Sequence, residues 1–164
     1  MKNTLYSLRA STLLTAACAL ILSAFTPHVP PQDEPTVVTL YVNTADIKTP
    51  NESAYCNFGQ GDDVTNENYT IVVNVGETIV WQGVSSDAPE TDIVQITSIN
   101  YQGGKNVFGS NNLKDTKDNP GRVSGKVLYA TNGNNYKYQI SFTVTNNGVK
   151  RKGTFHIDPK IEVH

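Results

Sequence analysis

Side chains able to support catalysis are scarce in this sequence of 164 residues. His156 is the one histidine inside the predicted folded region, and a serine hydrolase needs such an imidazole beside its nucleophile. It lies between Lys152 and Asp158 on the outward side of a predicted strand, with no nucleophile motif around it. The sequence also has no HExxH motif and no glycine-rich phosphate loop. We therefore assign no catalytic residue and expect no enzyme. A hydrolase whose carboxylate pair is assembled by the fold is the catalytic alternative.

Oxygen ligands for a cation are concentrated in residues 61–68, GDDVTNEN. Calcium takes six to eight oxygens, and this run, with Asp62 and Asp63, lacks the alternate acidic positions and the glycine of an EF-hand loop. A second acidic run, residues 115–119, carries Lys117 in its middle. We predict two solvated turns, no metal and no cofactor. Calcium at Asp62 and Asp63 remains the alternative.

Aromatic rings beside amides suit sugar recognition, because a ring packs on the pyranose face while amides bond the hydroxyls. Tyr41 and Tyr101 are the candidates for exposed rings, and Tyr101 leads into a polar Gly- and Asn-rich loop, residues 102–121. Trp81, the only tryptophan, follows Ile79 at strand spacing and is expected to fill the core. A carbohydrate site on the loop is therefore an alternative, and no ligand-binding residue is assigned.

The first 25 residues have the pattern of a secretion signal. Lys2 and Arg9 precede an uncharged apolar run, residues 13–25, which is too short to cross a bilayer core of roughly 30 Å as a helix. We expect a secreted or periplasmic protein without a membrane span, with a lipid anchor on Cys18 as the alternative. Four prolines in residues 26–35 predict an extended linker, and residues 36–164 form the predicted domain.

Removal of the signal peptide leaves Cys56 as the only cysteine, so no disulfide can form within the domain. A lone thiol is a liability in an oxidising compartment unless it is buried. We predict that Cys56 is a buried, small apolar residue. A reactive or intermolecular thiol is the alternative.

Residues 136–157 carry the clearest strand pattern. In residues 136–144, YKYQISFTV, apolar and polar side chains alternate, which predicts one buried and one wet face. Asn147-Gly148 then favours the positive φ angles of a hairpin turn. The predicted return strand covers residues 149–157, with Gly153, Phe155 and Ile157 inward, and Pro159 limits its extension.

Other short alternating runs are separated by Gly, Asn, Asp and Pro, and none has a helical period. About seven or eight short strands of this kind predict an all-β fold, an antiparallel Greek-key β-sandwich of cupredoxin-like or immunoglobulin-like type. The further predicted strands are Val37–Val42, Tyr69–Val75, Thr78–Gln82, Asp92–Tyr101 and Val123–Ala130, with a shorter one at Ala54–Phe58.

Charge is divided unevenly along the chain. Residues 31–100 hold eleven acidic residues against Lys48 alone, whereas residues 101–164 hold ten Lys and Arg against four acidic residues. Pairing of strands from both halves would neutralise the charges across the sheets. The alternative is a molecule with an acidic and a basic pole, which would associate with itself head to tail.

Three consecutive cations, Lys150-Arg151-Lys152, stand beside the predicted hairpin turn. Their alternating orientation makes a poor surface for nucleic acid, and the whole chain has a formal net charge of −2. We expect an exposed turn or a contact with a partner, and no nucleic acid. The triplets at Asn51 and Asn68 match the N-glycosylation pattern.

The segment Val75–Trp81, VGETIVW, resembles a strand of the cupredoxins, in which a glycine turn precedes an alternating strand ending in Trp. Residues 138–144 and 153–157 are arranged like the last two cupredoxin strands. The resemblance implies a cupredoxin-like topology without copper. A blue-copper site needs two imidazoles and a thiolate, and the loop that supplies them in that family is Asn146-Asn147-Gly148 here. The chain also resembles small exported bacterial β-proteins.

These observations favour an exported, non-enzymatic β-sandwich module that acts by surface binding or assembly. Its expected partners are a protein or a glycan, and charge-driven self-association is a further expectation. A small-ligand protein, for carbohydrate or calcium, and a hydrolase are the alternatives.

Overall fold

Eleven β-strands and one turn of 3-10 helix form the part of the chain that the structure describes, residues 34–164 of a computed structural model. The predicted signal peptide and all but the last two residues of the predicted linker lie outside the described residues. Within residues 34–164, no helix is long and apolar enough to span a membrane. The strands are β1 Thr36–Val42, β2 Cys56–Asn57, β3 Thr70–Val73, β4 Thr78–Ser85, β5 Ile93–Gly103, β6 Asn112–Lys114, β7 Arg122–Lys126, β8 Tyr136–Asn146, β9 Val149–Lys150, β10 Phe155–Ile157 and β11 Lys160–Val163, and the helix is Glu52–Tyr55.

The strands form two sheets. The small sheet has the order β2-β1-β4-β7, and the large sheet has the order β3-β11-β8-β5-β6, with β9 and β10 also paired to β8. Buried side chains from both sheets make one hydrophobic core. The predicted all-β sandwich is therefore confirmed.

Two strand pairs are parallel, which the prediction of an antiparallel sandwich did not include. Strand β1 runs parallel to β4, and β11 runs parallel to β3. The chain leaves the small sheet after β2, adds β3 to the large sheet and then returns, so β4 can run in the same direction as β1. Alternation along one strand reports which face is buried but not the direction of its neighbour.

The hairpin at the end of β8 is confirmed. Asn146 pairs with Val149, and the turn residues Asn147 and Gly148 have φ angles of 48° and 75°. Positive φ at both positions is the type I′ geometry that an Asn-Gly pair favours.

The return strand is interrupted, so the prediction of one strand over residues 149–157 is wrong in detail. Only β9 and β10 pair with β8, and Gly153, expected to point inward, is exposed at a φ of 90°. Arg151 leaves the ladder and its guanidinium donates to the carbonyls of Thr44 and Ile47 at 2.9 and 2.8 Å. The ladder resumes after Pro159 as β11.

An aromatic cluster of Trp81, Phe108, Tyr136 and Tyr138 lies in the core. Its ring centroids are 5.1 to 5.8 Å apart, and such pairs add about 0.5–1.5 kcal/mol each beyond the burial of their area. The indole Nε1 of Trp81 donates to the hydroxyl of Tyr138 at 3.2 Å. The predicted core position of Trp81 is confirmed, since the residue is fully buried.

Phe108 belongs to residues 102–121, which the sequence predicted to be a polar Gly- and Asn-rich loop. Val107 and Phe108 are in fact buried, and β6 pairs with β5 within the same stretch. The backbone N–H of Leu128 donates to the carbonyl of Val107 at 2.8 Å, which holds this segment against the chain that follows β7. Val107 and Phe108 therefore belong to the core, while residues 102–106 and 109–120 are half-buried or exposed.

A polar cluster, the Thr44 cluster, closes one end of the sandwich and consists of the buried Thr44, Ser85 and Asp92 with the exposed Asp87. The Thr44 hydroxyl lies 2.5 Å from Asp92 Oδ2 and 2.9 Å from Ser85 Oγ, and the Thr44 N–H donates to Asp87 Oδ1 at 2.7 Å. Asp92 also accepts the N–H of Asn147 at 2.9 Å. The cluster thus joins the end of β1, the start of β5 and the hairpin turn.

Loss of the Thr44 hydroxyl should destabilise the domain, because it removes the buried hydrogen bond to Asp92 and the contact with Ser85. We expect Thr44→Val to lower the free energy of unfolding by about 1–3 kcal/mol in urea denaturation. Thr154→Val removes an exposed hydroxyl with no hydrogen-bond partner in the described chain and is the matched control. Equal stability of the two variants would contradict the role given to the cluster.

The same cluster predicts loss of stability in acid. Hydrogen bonds from Thr44 and from the N–H of Asn147 lower the pKa of Asp92, and the pKa of Asp87 is lowered by hydrogen bonds from Thr44, Ser85 and Ala45 that outweigh its desolvation. A carboxyl whose pKa is lower in the folded state stabilises the fold above its unfolded pKa, and this stabilisation disappears as pH falls below about 4. The melting temperature should therefore fall from pH 5 to pH 2, and Asp92→Asn should flatten the curve. Asp63→Asn, at an exposed carboxylate with no hydrogen bond within residues 34–164, should keep the wild-type curve.

Candidate functional site

A polar cleft of about 600 Å³ lies between the 3-10 helix, β2 and the chain that leads to β3. The predicted turn at Asp62 forms part of its wall. The cleft is lined by Ser53, Ala54, Cys56, Asn57, Gln60, Gly61, Asp62, Val64, Thr65, Asn66 and Glu67.

Asn66 fixes the shape of this cleft. Its buried amide Nδ2 donates to the carbonyls of Ser53 and Cys56 at 3.0 and 2.9 Å, and its Oδ1 accepts from Gln60 Nε2 at 2.9 Å. The amide replaces the backbone ladder that this irregular segment lacks. Asn66 stood within a run predicted as a solvated turn, and nothing local marks it as buried.

The acidic residues of the cleft do not converge. Asp62 and Asp63 are exposed, and Glu67 Oε1 accepts from the Ser53 hydroxyl at 3.0 Å. A hydrogen bond from its own backbone N–H, with others from Ser53 and Thr65, lowers the pKa of Glu67. Among residues 34–164, no three His, Cys, Asp or Glu side chains lie close enough to hold a metal ion. The calcium alternative therefore has no cluster of three acidic ligands within the described residues.

Cys56 forms part of the wall of the cleft. Only 7% of the residue is exposed, which confirms the prediction that it is buried. Burial, and then the nearby Glu52 carboxylate, raise the pKa of the thiol to about 12. A thiolate is the reactive form of cysteine, so both the burial and the raised pKa disfavour reaction of Cys56 at neutral pH.

The two tyrosines proposed as sugar platforms have different surroundings. Tyr101 is half-buried, lies 5.5 Å from the Tyr136 ring and donates its hydroxyl to the carbonyl of Gly104 at 2.6 Å. Tyr41 stays exposed on the outer face of the small sheet. Tyr129, which the sequence did not single out, is half-exposed with Lys105 Nζ 5.4 Å from its ring centre.

His156 lies beside a serine. Its Nδ1 is 3.2 Å from the hydroxyl of Ser141, which also accepts from Asn100 Nδ2 at 3.0 Å. Ser141 was predicted to face outward, but it is buried under these two side chains. Within residues 34–164, no carboxylate hydrogen-bonds to the His156 ring, so the orienting third group of a triad is not provided.

One pair of carboxylates does come together. Asp87 Oδ1 and Asp92 Oδ2 both lie within 3.1 Å of the Thr44 hydroxyl. A glycosidase needs one carboxyl of raised pKa as the general acid, whereas the pKa of both groups is lowered here. In this structure both carboxylates serve as hydrogen-bond acceptors that hold one end of the sandwich together.

Charged side chains are numerous but almost unpaired. Residues 34–164 contain eleven Lys and Arg and fourteen Asp and Glu, and none of these cations lies within 4.0 Å of one of these carboxylates. The one contact of this kind within the described residues joins the His164 imidazole to Glu162 at 3.6 Å. Cations use neutral partners instead. Arg151 donates to backbone carbonyls, Lys160 donates to Asn68 at 3.1 Å, and Lys48 lies over the Tyr55 ring. The expected neutralisation across the sheets is thus not made by direct contacts.

The three cations at residues 150–152, predicted to form an exposed turn or a contact with a partner, have different surroundings. Lys150 and Lys152 are exposed beside the hairpin turn, whereas Arg151 is half-buried and bound to the chain after β1. Only the two lysines remain available to a partner.

Comparison with known proteins supports the fold. No family model matches the sequence, and no curated protein matches it. Among solved structures, the inclusion body protein PixA from Burkholderia cenocepacia superimposes with a TM-score of 0.52 at 13% identity, over 83% of this chain and 99% of that chain. At this identity the similarity concerns the β-sandwich alone.

Proposed function

We propose that this protein is an exported, non-enzymatic β-sandwich that acts by assembly through its charged surface. The observation that carries the proposal is that none of the twenty-five Lys, Arg, Asp and Glu side chains in residues 34–164 forms an ion pair with another of them. Charges that do not neutralise one another within the molecule remain available to a second molecule.

Two further observations support this function. The apolar run after Lys2 and Arg9 supports export. The β-sandwich is shared with a protein named as an inclusion body protein, and that name denotes assembly. The cupredoxin likeness stays a prediction about topology.

The non-enzymatic part of the proposal is supported by the two constellations that resemble catalytic groups. Ser141 and His156 lack an orienting carboxylate in the described chain, and Asp87 and Asp92 are held as hydrogen-bond acceptors. Each arrangement is explained by its structural contacts.

Assembly through charges predicts association that depends on salt. Screening shortens the reach of a charge from about 30 Å at 0.01 M salt to about 3 Å at 1 M. In sedimentation velocity, the purified protein should form species larger than the monomer in about 10 mM NaCl and return to the monomer in about 500 mM NaCl. Sucrose of equal osmolality is the control and should not dissociate the species. A monomer at every salt concentration would refute the proposed function.

A second candidate function, binding of a small polar ligand such as a carbohydrate, is favoured by the cleft at residues 53–67. Its volume suits a ligand of a few sugar rings, and its lining combines hydroxyls, amides and two carboxylates. Asn66 and Gln60 bond to the chain itself, as do Asn57 Oδ1 and the Thr65 hydroxyl. Recognition would therefore rest on the Asp62 carboxylate and the Asn57 Nδ2.

Ligand binding in the cleft predicts a higher melting temperature. A ligand at one hundred times its dissociation constant stabilises the native state by about 2.7 kcal/mol. A neutral oligosaccharide series should therefore contain at least one compound that raises the melting temperature of the wild type. Asp62→Ala should reduce the shift, whereas Asp118→Ala, an exposed acid on another loop, should not. Absence of any shift across the series would exclude this function for the sugars tested.

A further inference from the structure

One side of the sandwich, residues 43–69, has an excess of carboxylates, although Arg151 donates to its backbone carbonyls and Lys160 to its Asn68. This segment, the acidic edge, runs from the end of β1 through β2 to the start of β3 and holds five carboxylates against one lysine. Four of the carboxylates are exposed, and Glu52 is half-buried. Its members are Asp46, Glu52, Asp62, Asp63 and Glu67, with Lys48.

A second segment, residues 105–126, carries the opposite charge. This basic edge contains β6 and β7 and holds five cations against two carboxylates. All five cations are exposed, and none is at ion-pair distance from a carboxylate within residues 34–164. They are Lys105, Lys114, Lys117, Arg122 and Lys126, and the carboxylates are Asp115 and Asp118.

The sheet orders place these two edges on opposite sides of the sandwich. The terminal strands are β2 and β7 in the small sheet and β3 and β6 in the large sheet. The acidic edge includes β2 and leads directly into β3. On the other side, Leu113 of β6 packs closely on β7, since a Cβ added at Gly125 would lie 2.6 Å from Leu113 Cδ1. The terminal strands are three strand spacings apart in the small sheet, which is about 14 Å.

From this arrangement we infer that copies of this chain associate head to tail, with the acidic edge of one molecule against the basic edge of the next. The inference rests on the proposed function and names its partner, a second copy. Two acidic edges repel each other, and so do two basic edges, which disfavours a symmetric edge-to-edge dimer. The same charges favour contact between the acidic edge of one molecule and the basic edge of another. Such a heterologous contact continues from molecule to molecule and gives a ring or a fibre.

Variants that neutralise one edge test this mode of association. Asp62→Asn with Asp63→Asn neutralises part of the acidic edge, and Lys114→Gln with Lys126→Gln neutralises part of the basic edge. All four side chains are exposed and make no hydrogen bond within residues 34–164, so both variants should melt like the wild type. The matched controls make equal changes of charge elsewhere, Glu34→Gln with Glu90→Gln and Lys150→Gln with Lys152→Gln.

Sedimentation velocity at low salt gives the result. The wild type and both controls should form species beyond the dimer, and each edge variant alone should stay monomeric. An equal mixture of the two edge variants should form dimers and nothing larger, because each molecule keeps one native edge. Assembly of either edge variant alone, or a mixture that stays monomeric, would overturn the head-to-tail contact while leaving salt-dependent assembly intact. A wild type that never assembles would overturn both proposals.

Discussion

The alternation of side chains along β8 is the constraint on which the rest of the structure depends. Strand β5 pairs with one side of β8 along almost its whole length, and β9, β10 and β11 follow one another along the other side. The inward row from Tyr136 to Val144 is therefore buried without a gap. A slip of one residue in the register would turn this row to the solvent, so the position of every neighbouring strand is fixed by burial.

Hydrogen bonds determine how the ends of this arrangement close. The Asp92 carboxylate holds the N–H of Asn147, and the guanidinium of Arg151 holds the carbonyls after β1. Both contacts join segments more than fifty residues apart in the sequence. The Asp92 contact fastens the hairpin to the start of β5 in its own sheet, and the Arg151 contact fastens it to the opposite sheet. These hydrogen bonds satisfy the buried Asp92 carboxylate and the half-buried Arg151 guanidinium.

The sequence predicts those features that depend on neighbouring residues. Alternation in residues 136–144 and the Asn-Gly turn identified the hairpin and the sandwich, and the spacing from Ile79 placed Trp81 in the core. The parallel pairing of β1 with β4, the burial of Phe108 and the amide of Asn66 depend on contacts between distant segments, which no local pattern records. The uneven charge was visible in the sequence, but only the sheet order shows that it divides the sandwich into two sides.

The position of Cys56 has a consequence for the handling and the lifetime of the protein. Because the sulfur is buried, and because the domain has no second cysteine to pair with it, folding needs no oxidant and the folded molecule needs no reducing agent. Stored in air, the native protein should accumulate no covalent dimers. Once the protein is unfolded in air, intermolecular disulfides between Cys56 side chains should form. Covalent dimers in a sample would therefore show that part of it had been unfolded.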